Sequence, residues 1–230
     1  MKRLLRALAL LLDYPSEALQ THIAEVRETL NNEKVLSRTD RAMLEPLLRS
    51  FLQQDLLGLQ VTYSDLFDSS RALSLHFFEH IHGESRDRGQ AMLNLGEEYM
   101  AHGCFLQRDE LPDYIPIFLE FVSCLPESGV RDWLSQPAHV FAALAQRLDE
   151  RKSAYAGIFH LLIKLAGKQP DAQAVKELLA RNQQAIEATV DEEWEEAPIT
   201  FMSPQQQVPK SGIIARLKAA GKLIMSSSDT

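Results

Sequence analysis

Leu4, Leu5, Leu8, Leu11 and Leu12 recur at the spacing of one helical face, and the chain keeps that rhythm almost to its end. A second stripe, Leu19, Ile23, Val26 and Leu30, opens beside Pro15 and Ser16 and predicts a second helix. Leu44, Leu47, Leu48, Phe51 and Leu52 predict a third, kinked or restarted at Pro46. Residues 56–82 read as one or two helices with a break at Ser69-Ser70, and Gly83 stops the run. The next helix starts near Ser85 to Asp87 and carries Met92, Leu95 and Tyr99. It ends in "AHG", where Gly103 supplies the left-handed C-terminal residue. In "LPDYIPIFLEFVSCLP", Asp113 is the expected N-cap, Pro116 lies in the first turn and Pro126 ends the helix. Apolar residues from Ile115 to Leu125 surround that helix, which predicts a central, buried element. Helices are further predicted from Pro137 to Arg151, from Ser153 to Ala166 with Gly167 closing it, and from Asp171 onward. No alternating strand and no Asn-Gly or Asp-Gly hairpin turn interrupts them. The expected fold is therefore all-α, a single helical bundle over residues 1–188.

From about residue 189 the pattern changes. "DEEWEEAP" is acidic, "SPQQQVPKSG" is polar and turn-rich, and "IIARLKAAGKLIM" has the pattern of a short basic amphipathic helix. Residues 189–230 are expected to form a tail, acidic and then basic. Two readings stand for it: a segment that folds on nothing, or one that docks on its own core, a partner or a membrane surface.

Composition narrows the partners. Hydrophobic residues make up 45% of the 230, enough for a sizeable core. A net charge of -8 argues against nucleic acid and suits a basic partner such as a Lys/Arg-bearing peptide. The two cysteines, Cys104 and Cys124, are too few and too far apart in sequence for a C-x-x-C site or a disulfide scaffold, so a reducing compartment is expected. The start, "MKRLLRALALLLDYP", superficially resembles a signal peptide. Its uncharged apolar run spans only Ala7 to Leu12, and no small-residue cleavage site follows. No stretch approaches the ~20 apolar residues that cross a bilayer. A cytoplasmic location without stable membrane insertion is expected. No Gly-rich phosphate loop appears, and no small-molecule substrate or cofactor is indicated.

His76, Glu79 and His80 spell H-x-x-E-H, the string of one class of zinc peptidase. On one helix, two imidazoles four residues apart face the same way and could share a metal. No third ligand is identifiable, and three fixed letters are a weak signal among seven histidines. The alternative is a helix with Leu73, Phe77 and Ile81 inward and the two histidines flanking them.

The surrounding residues are more specific. "YSDLFDSSRALSLHFFEHIHGESRDRGQAML" resembles the signature of the respiratory nitrate reductase assembly chaperones of the NarJ type. "DELPDYIPIFLEF" is similar to their second signature and to the acidic-Pro-Asp-His/Tyr pattern of the wider TorD-like chaperones of molybdenum enzymes. "LLDYPSEAL" and "DEEWEEAPITF" also look familial, so the resemblance runs from about residue 4 to 201. Glu79, His80 and His82 match the family pattern; His76 stands where an aliphatic residue is expected. The resemblance implies a non-enzymatic, system-specific chaperone with a TorD-like helical fold. It would bind the N-terminal segment of the nitrate reductase catalytic (alpha) subunit in the cytoplasm, permit molybdenum cofactor insertion, and not remain in the finished enzyme. A chaperone of another molybdoenzyme or of a twin-arginine substrate is the nearest alternative.

An amphipathic basic peptide needs an apolar groove with an acidic rim. The stretch from 63 to 88 offers Tyr63, Phe67 and Phe78 beside Asp65, Asp68, Glu79, Glu84 and Asp87. Core packing is an equally good reading of each aromatic. Arg86 and Arg88 flank Asp87 at a helix start, where the macrodipole disfavours cations, which suggests bridges to carboxylates on other helices. Glu120 is the only charge between Tyr114 and Pro126. If buried, it requires a partner such as Arg71, Arg86 or Arg88. Tyr114 stands where many TorD-like relatives carry His, and its phenol can donate to a client carbonyl. The expected client-binding set is completed by His82, Asp113 and Pro116.

Overall fold

The computed structural model describes residues 1–83, 85–107 and 110–181, and every regular element in them is helical. The tail expected over 189–230 lies outside the described residues, as does Glu84. Helix α1 (Lys2–Leu12) buries Leu4, Leu5, Leu8, Leu11 and Leu12, the stripe its sequence announces. Ser16 accepts the Leu19 N–H at 3.2 Å and starts α2 (Glu17–Thr21). The second stripe is not one helix: the chain bends at His22 and resumes as α3 (Ile23–Asn32). Helix α4 (Arg38–Gln53) opens on a reciprocal capping box between Ser37 and Asp40 and is continuous through Pro46. It buries Leu44, Leu47, Leu48 and Phe51 but turns Leu52 to solvent. Helix α5 (Leu56–Phe67) follows, capped by Asp55.

The next stretch departs furthest from expectation. Residues 68–76 are not helical beyond a single 3-10 turn, Arg71–Leu73, and α6 (Phe77–His82) starts only after His76. Helix α7 (Asp87–Ala101) ends as predicted, with Gly103 at φ +76°. Helix α8 (Ile115–Cys124) is followed by α9 (Glu127–Ser135), for which the sequence pattern gave no expectation. Its nine residues lie between prolines and include Gly129, so the buried pair Val130 and Leu134 is the only periodic signal. Helices α10 (Ala138–Glu150) and α11 (Ala156–Ala166) lie where the pattern puts them, with Gly167 left-handed at φ +69°. Residues 172–181 are helical, and Asp171 accepts the Gln173 N–H at 2.9 Å at their start.

Helix α1 packs along α8, and α10 along α11, which also meets α4 and α9. At the α4–α11 crossing the backbones touch: a Cβ on Gly157 would lie 2.5 Å from the Met43 carbonyl oxygen. Arg147 is buried on α10 and donates to the carbonyls of Ala72 (2.6 Å) and Leu178 (2.8 Å). It thereby ties the 3-10 turn and the last described helix to the core. No helix among the described residues is long and apolar enough to cross a membrane.

Candidate functional site

The non-helical residues before α6 pair with those before α8. His76 and Tyr114 form an antiparallel bridge, in which the Phe77 N–H donates to Asp113 (3.1 Å) and the Ile115 N–H to Leu75 (2.9 Å). This short pairing fixes Asp113 at the start of α6 rather than at the start of its own helix. Its carboxylate is fully buried, accepts the Phe78 N–H at 3.3 Å and accepts the His76 Nδ1–H at 3.1 Å. The predicted N-cap on α8 is therefore corrected: Tyr114 occupies that position with no side-chain cap, and Asp113 satisfies orphan donors of α6 instead.

Arg88 completes this joint. Its guanidinium donates to Glu79 at 3.1 Å and lies 3.8 Å from the other Asp113 oxygen. The expectation of arginines bridging carboxylates across helices, made for Arg86 and Arg88, holds for Arg88; Arg86 is exposed, and Arg71 opens the 3-10 turn. His80 points into the core and donates from Nε2 to the Ser74 carbonyl at 2.8 Å, leaving Nδ1 buried without a partner. Burial above all pushes its imidazole below the ordinary histidine value, so the ring is neutral. His76 lies outside the helix with its Nδ1 on Asp113, and His80 lies on the helix with its Nε2 on Ser74. The zinc reading, which needs both rings on one helical face, loses its geometry. Among the described residues no group of three or more His, Cys, Asp or Glu side chains is placed to hold a metal.

Tyr63 and Phe67 do not face a groove. Both are buried, within a ladder of rings that includes Tyr155, 5.0 Å from Phe67. The Tyr63 hydroxyl donates to the Leu12 carbonyl at 2.9 Å and lies 2.9 Å from the Tyr114 hydroxyl, which in turn reaches Asp13 at 3.2 Å. Burial, then the Tyr114 phenol, pushes the Tyr63 phenol well above its ordinary value, so it stays protonated. Phe78 and His82 are half-buried and meet edge to face at 5.3 Å. Asp65 is exposed and lines a separate depression with Arg151 and Lys152.

The open surface lies around α8. That helix is buried except along one edge, Ile117, Glu120 and Cys124, spaced at one helical face. Glu120 is thus exposed, and the expected buried pair with Arg71, Arg86 or Arg88 does not form. Burial of its inner part and the charge of Glu110 raise its carboxyl above the ordinary value, while Arg6 opposes them. Two clefts flank this edge. One, of about 430 Å3, is lined by Asp13, His76, Glu110, Tyr114, Pro116 and Ile117. The other, of about 460 Å3, adds Leu10, Phe105, Leu106 and Phe121, with Arg6 at its side. A third, of about 550 Å3 and mostly apolar, continues from Phe105 and Leu106 across Met92, Leu93 and Met100 on α7. The clefts share Ile117, Glu120, Phe105 and Leu111, so they form one continuous surface. Phe105 is 79% exposed and Leu93 63%, an unusual display of large apolar side chains.

Of the residues expected to bind a client, the surface brings together Tyr114, Pro116 and Glu120. It leaves Tyr63, Phe67, Glu79, Arg88 and Asp113 in the interior or the joint. It adds Asp13, Phe105, Glu110 and Ile117. Phe105 was findable: a large aromatic just beyond the left-handed Gly103 is outside any helical stripe that would bury it.

A long apolar groove rimmed by Asp13, Glu110 and Glu120 beside an anchored joint has the features that an amphipathic basic peptide requires. Comparison with known proteins shows the family. The family model "Nitrate reductase delta subunit" matches residues 15–160, and the chain belongs to that family. It is 42% identical over 194 residues to the nitrate reductase molybdenum cofactor assembly chaperone NarJ of Escherichia coli K12, covering 84% of this chain and 82% of the relative. It is 35% identical over 201 residues to a probable chaperone of the same description, NarW, from the same organism, covering 87% and 84%. In structure it is similar to a putative redox enzyme maturation protein from Archaeoglobus fulgidus, with a TM-score of 0.52 and 25% identity over 73% of this chain and 94% of that one.

Proposed function

We propose that this protein is a system-specific chaperone of nitrate reductase assembly. In the cytoplasm it holds the N-terminal segment of the catalytic subunit in the groove around α8. It thereby permits molybdenum cofactor insertion, and it does not remain in the finished enzyme. The names carried by its relatives support the client, and the groove supports the mode of binding. The carrying observation is the continuous apolar surface from Leu93 to Tyr114, bordered by the carboxylates of Asp13, Glu97, Glu110 and Glu120 and by the Arg6 guanidinium. Apolar side chains of an amphipathic helix would enter beside Phe105 and Ile117 while its Lys or Arg residues meet Asp13, Glu110 and Glu120. The Tyr114 phenol, kept protonated by burial, donates to Asp13 or Tyr63 in the free protein and would exchange that partner for a client carbonyl.

The test is co-purification with the untagged catalytic subunit, followed by calorimetry on the first residues of that subunit. Saturable binding of that peptide is expected, with weaker binding of the N-terminal peptides of other molybdoenzymes and of twin-arginine substrates. Equal affinity for all of them would leave a general helical interaction module in place of a dedicated chaperone.

A further inference from the structure

Cys104 and Cys124 both line the 460 Å3 cleft, although they belong to different elements. Cys104 follows the left-handed Gly103 and is held by its N–H to the Tyr99 carbonyl at 2.9 Å. Cys124 ends α8, and its side chain is exposed on the same edge as Ile117 and Glu120. Both are free thiols. Burial, then the Cys124 thiol, pushes the Cys104 thiol above its ordinary value, so Cys104 keeps its proton at rest.

We propose that Cys104 and Cys124 form a reversible disulfide that closes the groove. The bond would tie the segment carrying Phe105 and Leu106 to the last turn of α8, across the cleft that both segments line. Low-molecular-weight disulfides such as oxidised glutathione are the oxidant. Cys124, the exposed thiol, loses its proton and attacks one sulfur of the oxidant. A mixed disulfide forms and one reduced glutathione leaves. Cys104 then gives up its proton and attacks the Cys124 sulfur, expelling the second glutathione. The sum is two protein thiols and one oxidised glutathione giving one protein disulfide and two reduced glutathiones. In a reducing environment the dithiol form prevails and the groove stays open.

The effect on client binding rests on the function proposed above; formation of the bond does not. The full chain is treated with oxidised glutathione, and non-reduced proteolytic fragments are analysed by mass spectrometry. A fragment joining Cys104 to Cys124 is expected. Only a glutathione adduct on Cys124, or no change, would overturn the pairing. Calorimetry with the client's N-terminal peptide is then run on reduced and oxidised protein. A drop in affinity of tenfold or more on oxidation, reversed by dithiothreitol and absent in Cys124→Ser and in Cys104→Ser, is expected. Equal affinity of the two forms would overturn the closing role. If the reduced protein binds no client peptide, the function above fails and the closing role fails with it, while the fragment analysis still decides the pairing.

Discussion

The joint between α6 and α8 and the groove beside it use the same kinds of side chain to opposite ends. In the joint, Asp113 is fully buried and each of its oxygens has a donor or a guanidinium nearby. In the groove, Glu120 stands in solvent between the opposing charges of Glu110 and Arg6. Burial with partners makes a carboxylate structural, because removing it strands other polar groups. Exposure beside apolar surface makes it available for recognition at little cost to folding. The comparison also separates the two meanings of a family motif. Much of the first signature, from Glu79 to Arg88, holds helices together, while the groove takes Glu110, Tyr114, Ile117 and Glu120 from the second signature and Phe105 from outside both.

The sharpest way to break this division is Asp113→Ala. It would leave the Phe78 N–H and the His76 ring without their acceptor, and Arg88 with Glu79 alone. A loss of about 3–5 kcal/mol in urea unfolding is expected. A fall below about 1 kcal/mol would mean the joint is not what holds α6 to α8. Next is Phe105→Ala, which removes a largely exposed ring. It should leave unfolding within about 0.5 kcal/mol of the parent. It should weaken client-peptide binding by about 2 kcal/mol in calorimetry, as truncation of an anchor residue does. Tyr63→Phe should do the reverse. Loss of the hydroxyl that serves the buried Leu12 carbonyl costs about 1–2 kcal/mol of stability, with peptide affinity unchanged. Glu120→Gln should lower affinity by less than about 1 kcal/mol, and the difference should vanish at high salt. A marked loss of stability in that variant would return Glu120 to the interior.

The smallest effect concerns acid. The His80 value is lowered in the fold from 6.5, chiefly by burial. Its neutral form is therefore favoured by folding. That contribution is complete above the unfolded value and is lost as pH falls from about 6.5 toward the folded value, because the unfolded chain takes up the proton first. Urea unfolding between pH 7 and 5 should show this decline, and His80→Gln should flatten it.

Where one helix contains its own evidence, the sequence was readable. The stripe of α1, the left-handed glycines after α7 and α11, and the apolar runs of α10 and α11 are local patterns with local consequences. Failures arose where partners are distant. His22 interrupts an unbroken stripe, and α9 is too short and too rich in turn residues to announce itself. Residues 68–76 leave the helix because Leu75 and Phe77 find hydrogen bonds with Asp113 and Ile115, nearly forty positions away. The same cause scatters the residues expected at the site. Tyr63 beside Asp65 looks like an aromatic–acidic rim, yet the ring is consumed by Leu12 and Tyr114. The groove joins Asp13, Phe105, Glu110 and Ile117, which no spacing rule connects. Of the residues expected at the site, Tyr114, Pro116 and Glu120 line these clefts.

The bridge between residues 75–77 and 113–115 makes one lever of the groove wall and helix α6, since His76 and Tyr114 line the cleft while their neighbours hold the two backbone hydrogen bonds. Whatever occupies that cleft must therefore lean on Phe77 and Ile115. Slowed deuterium uptake at those two amides, remote from any direct touch, would register occupancy of the groove from inside the protein.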